Sequence, residues 1–365
     1  MTTLADIVHE YGEAYEAKYR WKLLPSQRRT LRDIANCQTS AMGGHVYHCD
    51  ECQTTHYQYH SCQNRHCPQC QHRKGHEWLE KQRDALLPVP YFMVTFTIPS
   101  ELHTLAKQHQ KVVYNMLFRT SAEALKQLAQ DVRYVGGEIG MIGVLHTWGR
   151  DLSYHPHVHY LVPTGGLSFD SEQWISGKRN FLVPVKALSI LFRAKFRDAL
   201  HQAGLIKEVS SIVWQKDWIT HSKPVGKGEG ALKYLAPYIF RVAISNRRIL
   251  SVKDGHVTFS YRQSDSGRWR RMTVTVNEFL RRFLQHVLPK GFVKVRYYGL
   301  FSPAKRYLLP LIQLWLGRDV LLDNDIISDD DRDLSLSIVA CPSCGQPMRW
   351  LREVRPRARC PPFAG

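Results

Sequence analysis

Apolar and polar residues along the middle of the chain follow a pattern that predicts strands alternating with helices. The β-branched and aromatic run 91–98, bounded by two prolines, is typical of a buried strand. Apolar residues at helical spacing over 102–132 predict one or two helices. The segments 140–148 and 155–162 then predict two strands joined by a short polar loop.

The second half of this region continues the same alternation. The pattern predicts a helix over 185–203, a strand near 211–218 and a further helix over 230–241. The resulting order of strand, helix, strand, strand, helix, strand is that of a ferredoxin-like (RRM-like) antiparallel sheet with one extra helix. The sequence therefore predicts an α+β core with a small module in front of it.

The flanking segments differ from this core in composition. The segment 249–303 carries hairpin signals such as Asp254-Gly255, a helix is predicted near 304–316, and an acidic stretch follows at 323–333. Four domains are predicted. Residues 1–87 form a helical and zinc-binding module, and residues 88–248 form the core with its added helix. Residues 249–320 form a basic accessory β/α region, and residues 321–365 an acidic linker with a cysteine-containing tail.

Charge narrows the choice of partner. The chain of 365 residues has a formal net charge of +18, and clustered Lys and Arg gain free energy by displacing counterions from phosphates. The sequence therefore predicts a polyanionic partner. The amino-terminal residues lack a signal-peptide pattern, and no apolar run is long enough to span a bilayer, so we expect a cytoplasmic protein with reduced thiols.

All nine cysteines lie near the two ends of the chain, within 37–70 and 341–360. Cys49-Asp-Glu-Cys52 and Cys67-Pro-Gln-Cys70 are two C-x-x-C knuckles with the spacing of a zinc ribbon. These four thiolates are the predicted ligands of a structural Zn²⁺.

Other cysteines and histidines leave alternatives open. Six further residues lie around the knuckles: Cys37, His45, His48, His60, Cys62 and His66. They could form a second metal site, replace ligands of the first site, or simply be polar packing residues. At the other end Cys341-Pro-Ser-Cys344 begins a knuckle, but only Cys360 follows it, so no zinc is predicted there.

One predicted strand carries three histidines. Side chains of a strand alternate between its faces, so His155, His157 and His159 share one face. His157 and His159 would form a clamp for a divalent metal, and His146 would supply a third ligand if the two strands form an antiparallel hairpin. The alternative interpretation is that these histidines only fill a polar strand face.

A pair of tyrosines lies on the predicted helix over 230–241. Tyr234 and Tyr238 are four residues apart and would share one helix face, although Pro237 removes a helical hydrogen bond between them. Packing is the alternative role for both. Together with a metal site the pair is chemically coherent, because cleavage of a phosphodiester by a tyrosine needs a phenol that attacks phosphorus, a cation that polarises the phosphate, and bases that hold the cation.

Several strings of this sequence resemble the two-tyrosine HUH transposases of rolling-circle insertion sequences. Besides the amino-terminal cysteine cluster they are Val94-Thr-Phe-Thr-Ile-Pro99, Gly143-Val-Leu-His-Thr-Trp148, His155-Pro-His-Val-His159, Tyr234-Leu-Ala-Pro-Tyr238 and Ala243-Ile-Ser-Asn-Arg-Arg248. The resemblance spans most of the chain and keeps these motifs in order.

The resemblance implies a metal-dependent single-strand DNA endonuclease and strand transferase. His157 and His159 would hold Mg²⁺ or Mn²⁺, and Tyr234 and Tyr238 would be the nucleophiles that form a 5′-phosphotyrosine intermediate. The partner would be single-stranded DNA at the element ends, including hairpins. Because the sequence has no G-x-x-x-x-G-K-[ST] phosphate loop, host replication or helicase functions would have to supply unwinding.

Basic residues mark the predicted DNA contacts. The candidates are Arg65, Arg73, Lys74, Arg247, Arg248, Arg270 and Arg271. For Arg65, Arg73 and Lys74, beside the cysteines, the alternative is a solvated basic face. Two other functions stay open at this point. A rolling-circle plasmid replication initiator would share the chemistry, whereas a noncatalytic zinc-containing protein would bind single-stranded nucleic acid by stacking and leave no covalent product.

Overall fold

The computed structural model describes residues 2–71, 82, 85–227, 230, 242–263, 266–317 and 339–356. The helices among them are α1 (Leu4–Tyr19), α2 (Pro25–Ala35), α3 (His103–Gln108), α4 (Gln110–Ala129), α5 (Val185–Gln202), α6 (Val276–Leu284) and α7 (Leu309–Trp315). The strands are β1 (Gly44–Cys49), β2 (Thr54–Tyr59), β3 (Pro90–Thr97), β4 (Met141–Trp148), β5 (Tyr154–Pro163), β6 (Gly165–Leu167), β7 (Trp174–Ser176), β8 (Thr220–Lys227), β9 (Ile249–Lys253), β10 (His256–Arg262), β11 (Trp269–Thr275), β12 (Val295–Tyr298) and β13 (Arg349–Val354). The fold is mixed α+β with antiparallel sheets, as predicted.

A five-stranded antiparallel sheet forms the centre of the protein, with the strand order β12-β4-β5-β3-β8. Helices α4 and α5 cover one face of it, where Leu117 and Phe192 pack against Phe96 in one apolar core. On the opposite face Leu300 and Ile312, near and within α7, pack over part of the sheet. The rest of that opposite face carries polar side chains.

Strand β3 shows why this sheet was predictable. Phe92, Val94 and Phe96 point into the core under the helices, whereas Tyr91 and Met93 point into the apolar cluster on the other face. A strand buried on both faces needs apolar side chains at odd and even positions alike. The continuous apolar run between two prolines therefore corresponds to a central strand.

The predicted strand near 211–218 is wrong. Ser211–Trp214 is a short 3₁₀ helix, and the edge strand of the sheet is β8, which begins two residues after the predicted end. Trp218 is buried beneath the helices, and its indole nitrogen donates to the carbonyl of Val213 at 3.1 Å. The apolar residues of 211–218 thus pack into the core although they belong to a loop connection. The exposed edge strand β8 is polar, so it has no apolar pattern from which it could be predicted.

Helices α1 and α2 pack on a second sheet of order β11-β10-β9 together with α6. Their shared core contains Leu4, Ile34, Phe259 and Phe279. Between β9 and β10 the predicted Asp254-Gly255 turn is present, with φ of 48° and 69°, the left-handed conformation that this hairpin turn requires. Segments that the sequence assigned to separate modules therefore share one apolar core.

A third sheet has the order β13-β1-β2 and joins the two ends of the described chain. Strand β1 pairs in antiparallel fashion with both neighbours, so that Val46 lies between Tyr57 and Arg352. Within the described ranges, every helix is too short or too polar to cross a bilayer.

Candidate active site and cysteine clusters

Three histidines meet on the polar part of the central sheet. His146 of β4 lies directly opposite His157 of β5, and His159 lies two residues further along the same strand face. One ring nitrogen from each lies within 4.8 Å of one from the others. The predicted hairpin register, which placed His146 opposite His157, is confirmed. Their binding of a metal stays a prediction.

Hydrogen bonds orient two of the three rings. Nδ1 of His157 lies 2.6 Å from the carbonyl oxygen of His155, which can only accept, so Nδ1 carries the proton and Nε2 keeps its lone pair. Nδ1 of His159 lies 2.8 Å from the hydroxyl of Thr95 on β3. Metal-binding histidines use such partners on the second nitrogen to fix the ring and its tautomer. The His157 ring therefore presents Nε2 as its ligand atom, and the Thr95 hydroxyl fixes the orientation of the His159 ring.

The ring planes and burial of the cluster suit a shared cation. The rings of His157 and His159 are nearly perpendicular with centroids 4.7 Å apart, and those of His146 and His157 are perpendicular at 5.4 Å. His146 is 2% exposed and stacks on Trp148 with ring centroids 4.7 Å apart. Three neutral imidazoles on rigid strands fit a divalent metal that leaves coordination positions for phosphate oxygens and water. The donor set thus fits the metal that the sequence implies.

His155 shares the strand face but lies outside this cluster. Its ring centroid lies 5.1 Å from that of His157 and 6.3 Å from that of His103, and burial lowers the pKa of His155 below its ordinary value. The alternation of the strand put three histidines of β5 on one face. Of these three, only His157 and His159 belong with His146 to the group whose ligand atoms all lie within 4.8 Å of one another.

Thr95 and Trp148 are site residues that the sequence argument did not single out. Trp148 follows His146 by two residues, so strand alternation alone would have placed both side chains on one face. Thr95 belongs to a strand distant in sequence, and its contact depends on the register in which Thr95 faces His159. The role of Thr95 is therefore visible only once the pairing of β3 with β5 is known.

Several predicted site residues lie outside the described residues. They are the two tyrosines Tyr234 and Tyr238 with Pro237 between them, the basic residues Arg73 and Lys74, the acidic stretch 323–333 and Cys360. Their predicted roles stay predictions.

The first cysteine cluster consists of Cys37, Cys62, Cys67 and Cys70, whose sulfur atoms all lie within 4.8 Å of one another. Sγ of Cys70 is 3.6 Å from that of Cys37 and 3.5 Å from that of Cys62. Hydrogen bonds from the thiols of Cys62 and Cys67 lower the pKa of Cys37 to about 2. This arrangement favours a thiolate, the form that binds zinc.

The predicted grouping of Cys49 and Cys52 with Cys67 and Cys70 is wrong. The structure places the first pair with Cys341 and Cys344 instead, in a second cluster. The cause is the β1–β2 hairpin: Cys49 and Cys52 flank its turn, whereas the chain leaves β2 at the opposite end. A strand of six residues is roughly 20 Å long, which keeps the two knuckles apart.

Arg65 and His66 attach the cysteine-containing segment to the rest of the protein. Nη1 of Arg65 donates to the carbonyl oxygen of Phe292 at 2.5 Å, and Nε2 of His66 accepts from the amide of Leu288 at 3.2 Å. Burial holds the pKa of His66 well below its ordinary value. Both side chains therefore have structural partners, and His66 is not in either cysteine cluster.

The other arginines that were predicted to contact DNA, and that the structure describes, divide into two groups. Arg248 donates from Nε to the carbonyl of Ser260 at 2.7 Å and from Nη2 to that of Arg150 at 2.5 Å, so its guanidinium ties loops together. Arg247, Arg270 and Arg271 are exposed, which suits the predicted contacts with DNA phosphates.

Two family models match this chain. Residues 140–307 match a model described as "Putative transposase", and residues 7–98 match one described as "Transposase zinc-binding domain". The first range contains the three-histidine cluster, and the second contains the first cysteine cluster together with Cys49 and Cys52. The zinc-binding match and the cysteine clusters together support structural zinc in this protein.

Curated relatives are similar over most of the chain. "Putative transposase y4qJ" of Sinorhizobium fredii (strain NBRC 101917 / NGR234) is 42% identical over 83% of this chain and 81% of its own length. "Transposase for insertion sequence element IS801" of Pseudomonas savastanoi pv. phaseolicola is 28% identical over 75% of this chain and 70% of its own length. No solved structure matches significantly.

Proposed function

Because this chain belongs to the transposase family of the IS91 and IS801 type, we propose that it moves a rolling-circle element by metal-dependent cleavage and rejoining of single-stranded DNA. The observation that carries the proposal is the cluster of His146, His157 and His159 on one sheet face. A transposase must break and rejoin phosphodiesters, and this cluster is a site at which a phosphate and a cation can meet.

The sheet itself supports an HUH nuclease core. Four of its strands have the order β8-β3-β5-β4, with helix α4 between β3 and β4 and helix α5 between β5 and β8. That is the strand order and connectivity of a ferredoxin-like sheet. Strand β12 adds to its β4 edge. In this arrangement the two inner strands, β5 and β3, bring His157, His159 and Thr95 together.

The proposed chemistry uses a tyrosine of the pair Tyr234 and Tyr238 as nucleophile. Its phenolic oxygen attacks the phosphorus, the bond to the 3′ oxygen breaks, and that oxygen leaves with a proton as a 3′-OH, so the DNA 5′ end becomes a phosphotyrosine. When bound, a Mg²⁺ or Mn²⁺ ion polarises the scissile phosphate and stabilises its developing charge. The second tyrosine would accept a new strand while the first end stays attached.

The three histidines have a positional task in this scheme. Strand pairing and the hydrogen bonds to Thr95 and the His155 carbonyl hold the rings in place before substrate arrives. Preorganised ligands need no rearrangement when charge develops on the phosphate. A plasmid replication initiator would need the same geometry, but the relatives on record are transposases, which favours transposition.

Covalent attachment tests the proposal. Purified protein is incubated with Mn²⁺ and single strands bearing candidate element ends, and denaturing gels are examined for a protein-linked DNA product. We expect His146→Ala and His157→Ala to abolish the adduct. His201→Ala is the matched control, because it removes an exposed imidazole from α5, the helix on the other face of the sheet.

Binding is measured in parallel by gel shift with the same strands. We expect the two cluster variants to retain binding, since the histidines hold the cation rather than the strand. Adduct formation by His157→Ala at the level of the control would contradict the metal site. A noncatalytic binder would yield shifted DNA with all variants and covalent product with none.

A further inference from the structure

The second cysteine cluster joins residues from the two ends of the chain. Cys49 and Cys52 lie in the amino-terminal hairpin, and Cys341 and Cys344 lie nearly three hundred residues later. We propose that these four thiolates bind a second Zn²⁺ and thereby fasten the carboxy-terminal strand to the amino-terminal sheet. The matched zinc-binding family range ends at residue 98 and thus includes only half of this site.

The sulfur positions fit a tetrahedral zinc. All four Sγ atoms lie within 4.8 Å of one another, and Sγ of Cys49 is 3.6 Å from Sγ of Cys344. Four sulfurs at about 2.3 Å from a tetrahedral zinc are roughly 3.8 Å apart. A disulfide would need about 2.05 Å. The separation is therefore that of co-ligands.

Each half of the cluster has the local backbone of a zinc knuckle. The amide of Cys52 points at Sγ of Cys49 with an N–S distance of 3.4 Å. The amides of Cys344 and Ser343 likewise point at the sulfur of Cys341. The turn ends at Gly345, whose amide donates to the Cys341 carbonyl at 2.8 Å and whose φ is +77°. Two equivalent knuckles therefore face each other.

Strand β13 shows what a zinc ion in this cluster would stabilise. It pairs with β1 from Gly44↔Val354 to His48↔Arg349, so the sheet extends from the cluster across the whole of β1. Most of β13 is nevertheless exposed, including Trp350 at 53% and Leu351 at 39%. A strand with so little buried apolar surface gains little from packing. Metal binding supplies folding free energy to segments of this kind.

Contacts beside the cluster agree with this fastening. The Arg349 guanidinium forms an exposed ion pair with Asp50, at 3.5 Å, within the first knuckle. The indole nitrogen of Trp350 lies 3.4 Å from Nδ1 of His45. Exposed contacts of this type contribute little by themselves, so the strand's attachment depends on its backbone pairing and on the thiolates.

Cobalt binding tests the stoichiometry independently of DNA cleavage. Co²⁺ replaces Zn²⁺ in the full-length apoprotein, and the thiolate-to-cobalt charge-transfer band is followed to saturation. The three-histidine site contributes nothing to this band because it contains no sulfur. We expect two equivalents in the wild type, one in the Cys341→Ser/Cys344→Ser double variant, and two in Ser343→Ala, the control within the same knuckle.

Saturation at one equivalent in the wild type, or at two in the double variant, would overturn the proposal. If the double variant precipitates, the wild-type count still decides. A second measurement tests fastening: a specific protease site is inserted within 323–333, the chain is cut, and the pieces are separated by size. We expect the carboxy-terminal piece to co-elute until a chelator is added. Its release without chelator would overturn the fastening role.

Discussion

Thr95 and His159 face each other across strands β3 and β5, and the threonine hydroxyl lies 2.8 Å from Nδ1 of the histidine. This contact fixes the orientation of the His159 imidazole. Because Thr95 is not one of the three clustered histidines, we infer that it positions His159 in the proposed metal site.

Replacing Thr95 by valine tests this role. The substitution keeps the β-branched shape and removes the hydroxyl, so we expect the sheet to remain folded and metal affinity to fall by about 10- to 100-fold, the usual effect of losing such a partner. Mn²⁺ titration followed by calorimetry measures the affinity, and adduct formation should recover at high Mn²⁺. Thr273→Val removes a hydroxyl paired with Thr258 on another sheet and serves as the control. Unchanged affinity in Thr95→Val would show that strand pairing alone fixes His159.

The same site shows how far sequence reasoning reached. Alternation on β5 and the hairpin after β4 were enough to place His146 opposite His157, because both depend only on neighbouring residues. Thr95 depends on the pairing of β3 with β5, which no local pattern encodes. The polar edge strand β8 was missed for a related reason, since its exposed side chains carry no apolar period.

For the cysteines, the sequence predicted metal ligands but grouped them incorrectly. Knuckle spacing identified Cys49, Cys52, Cys67 and Cys70 as metal ligands, but spacing cannot tell which knuckles meet in space. A hairpin one strand long separates the two pairs. The partners of Cys49 come from the other end of the chain, a contact that only the folded sheet supplies.

The first cysteine cluster is expected to stabilise the amino-terminal part of the protein. Cys37, Cys67 and Cys70 belong to the apolar core shared with α1 and α6, so losing their metal would also loosen that core. We expect Cys37→Ser to lower the free energy of unfolding by on the order of 4 kcal/mol, in the range typical of losing a structural metal. Chemical denaturation with and without added zinc measures it. Ser61→Ala is the neighbouring control, and equal stability of the two variants would refute the prediction.

Exposed arginines of β11 are expected to contact DNA phosphates. Arg270 and Arg271 lie on the accessory sheet, and single-strand binding should release about 0.7 counterion for each phosphate they neutralise. The Arg270→Ala/Arg271→Ala variant should therefore bind single-stranded DNA more weakly, with a shallower dependence on salt. Arg133→Ala, which removes an exposed arginine paired with Asp131, should bind normally. Identical salt slopes in all three proteins would exclude these contacts.

Arg248 should behave differently from that pair. Its guanidinium donates to two backbone carbonyls, so Arg248→Ala is expected to lower the melting temperature before it alters the salt dependence of DNA binding. Thermal unfolding beside the binding assay separates the two effects. A changed salt slope with unchanged melting would instead make Arg248 a phosphate contact.

The tyrosine pair carries the proposed strand exchange. The first attack needs one nucleophile, whereas passing the strand to a new end needs a second while the first stays occupied. We therefore expect Tyr234→Phe and Tyr238→Phe each to block transposition, with at least one of them still forming a covalent adduct on single-stranded DNA, and the double variant to form none. A proline in a helix removes a hydrogen bond, and Pro237 immediately precedes Tyr238 in the sequence, so we favour Tyr234 as the initiating nucleophile. Proteolysis of the adduct followed by mass spectrometry locates the modified residue. A nucleotide on any tyrosine outside this pair would reject the assignment while leaving the three-histidine site to be judged by its own variants.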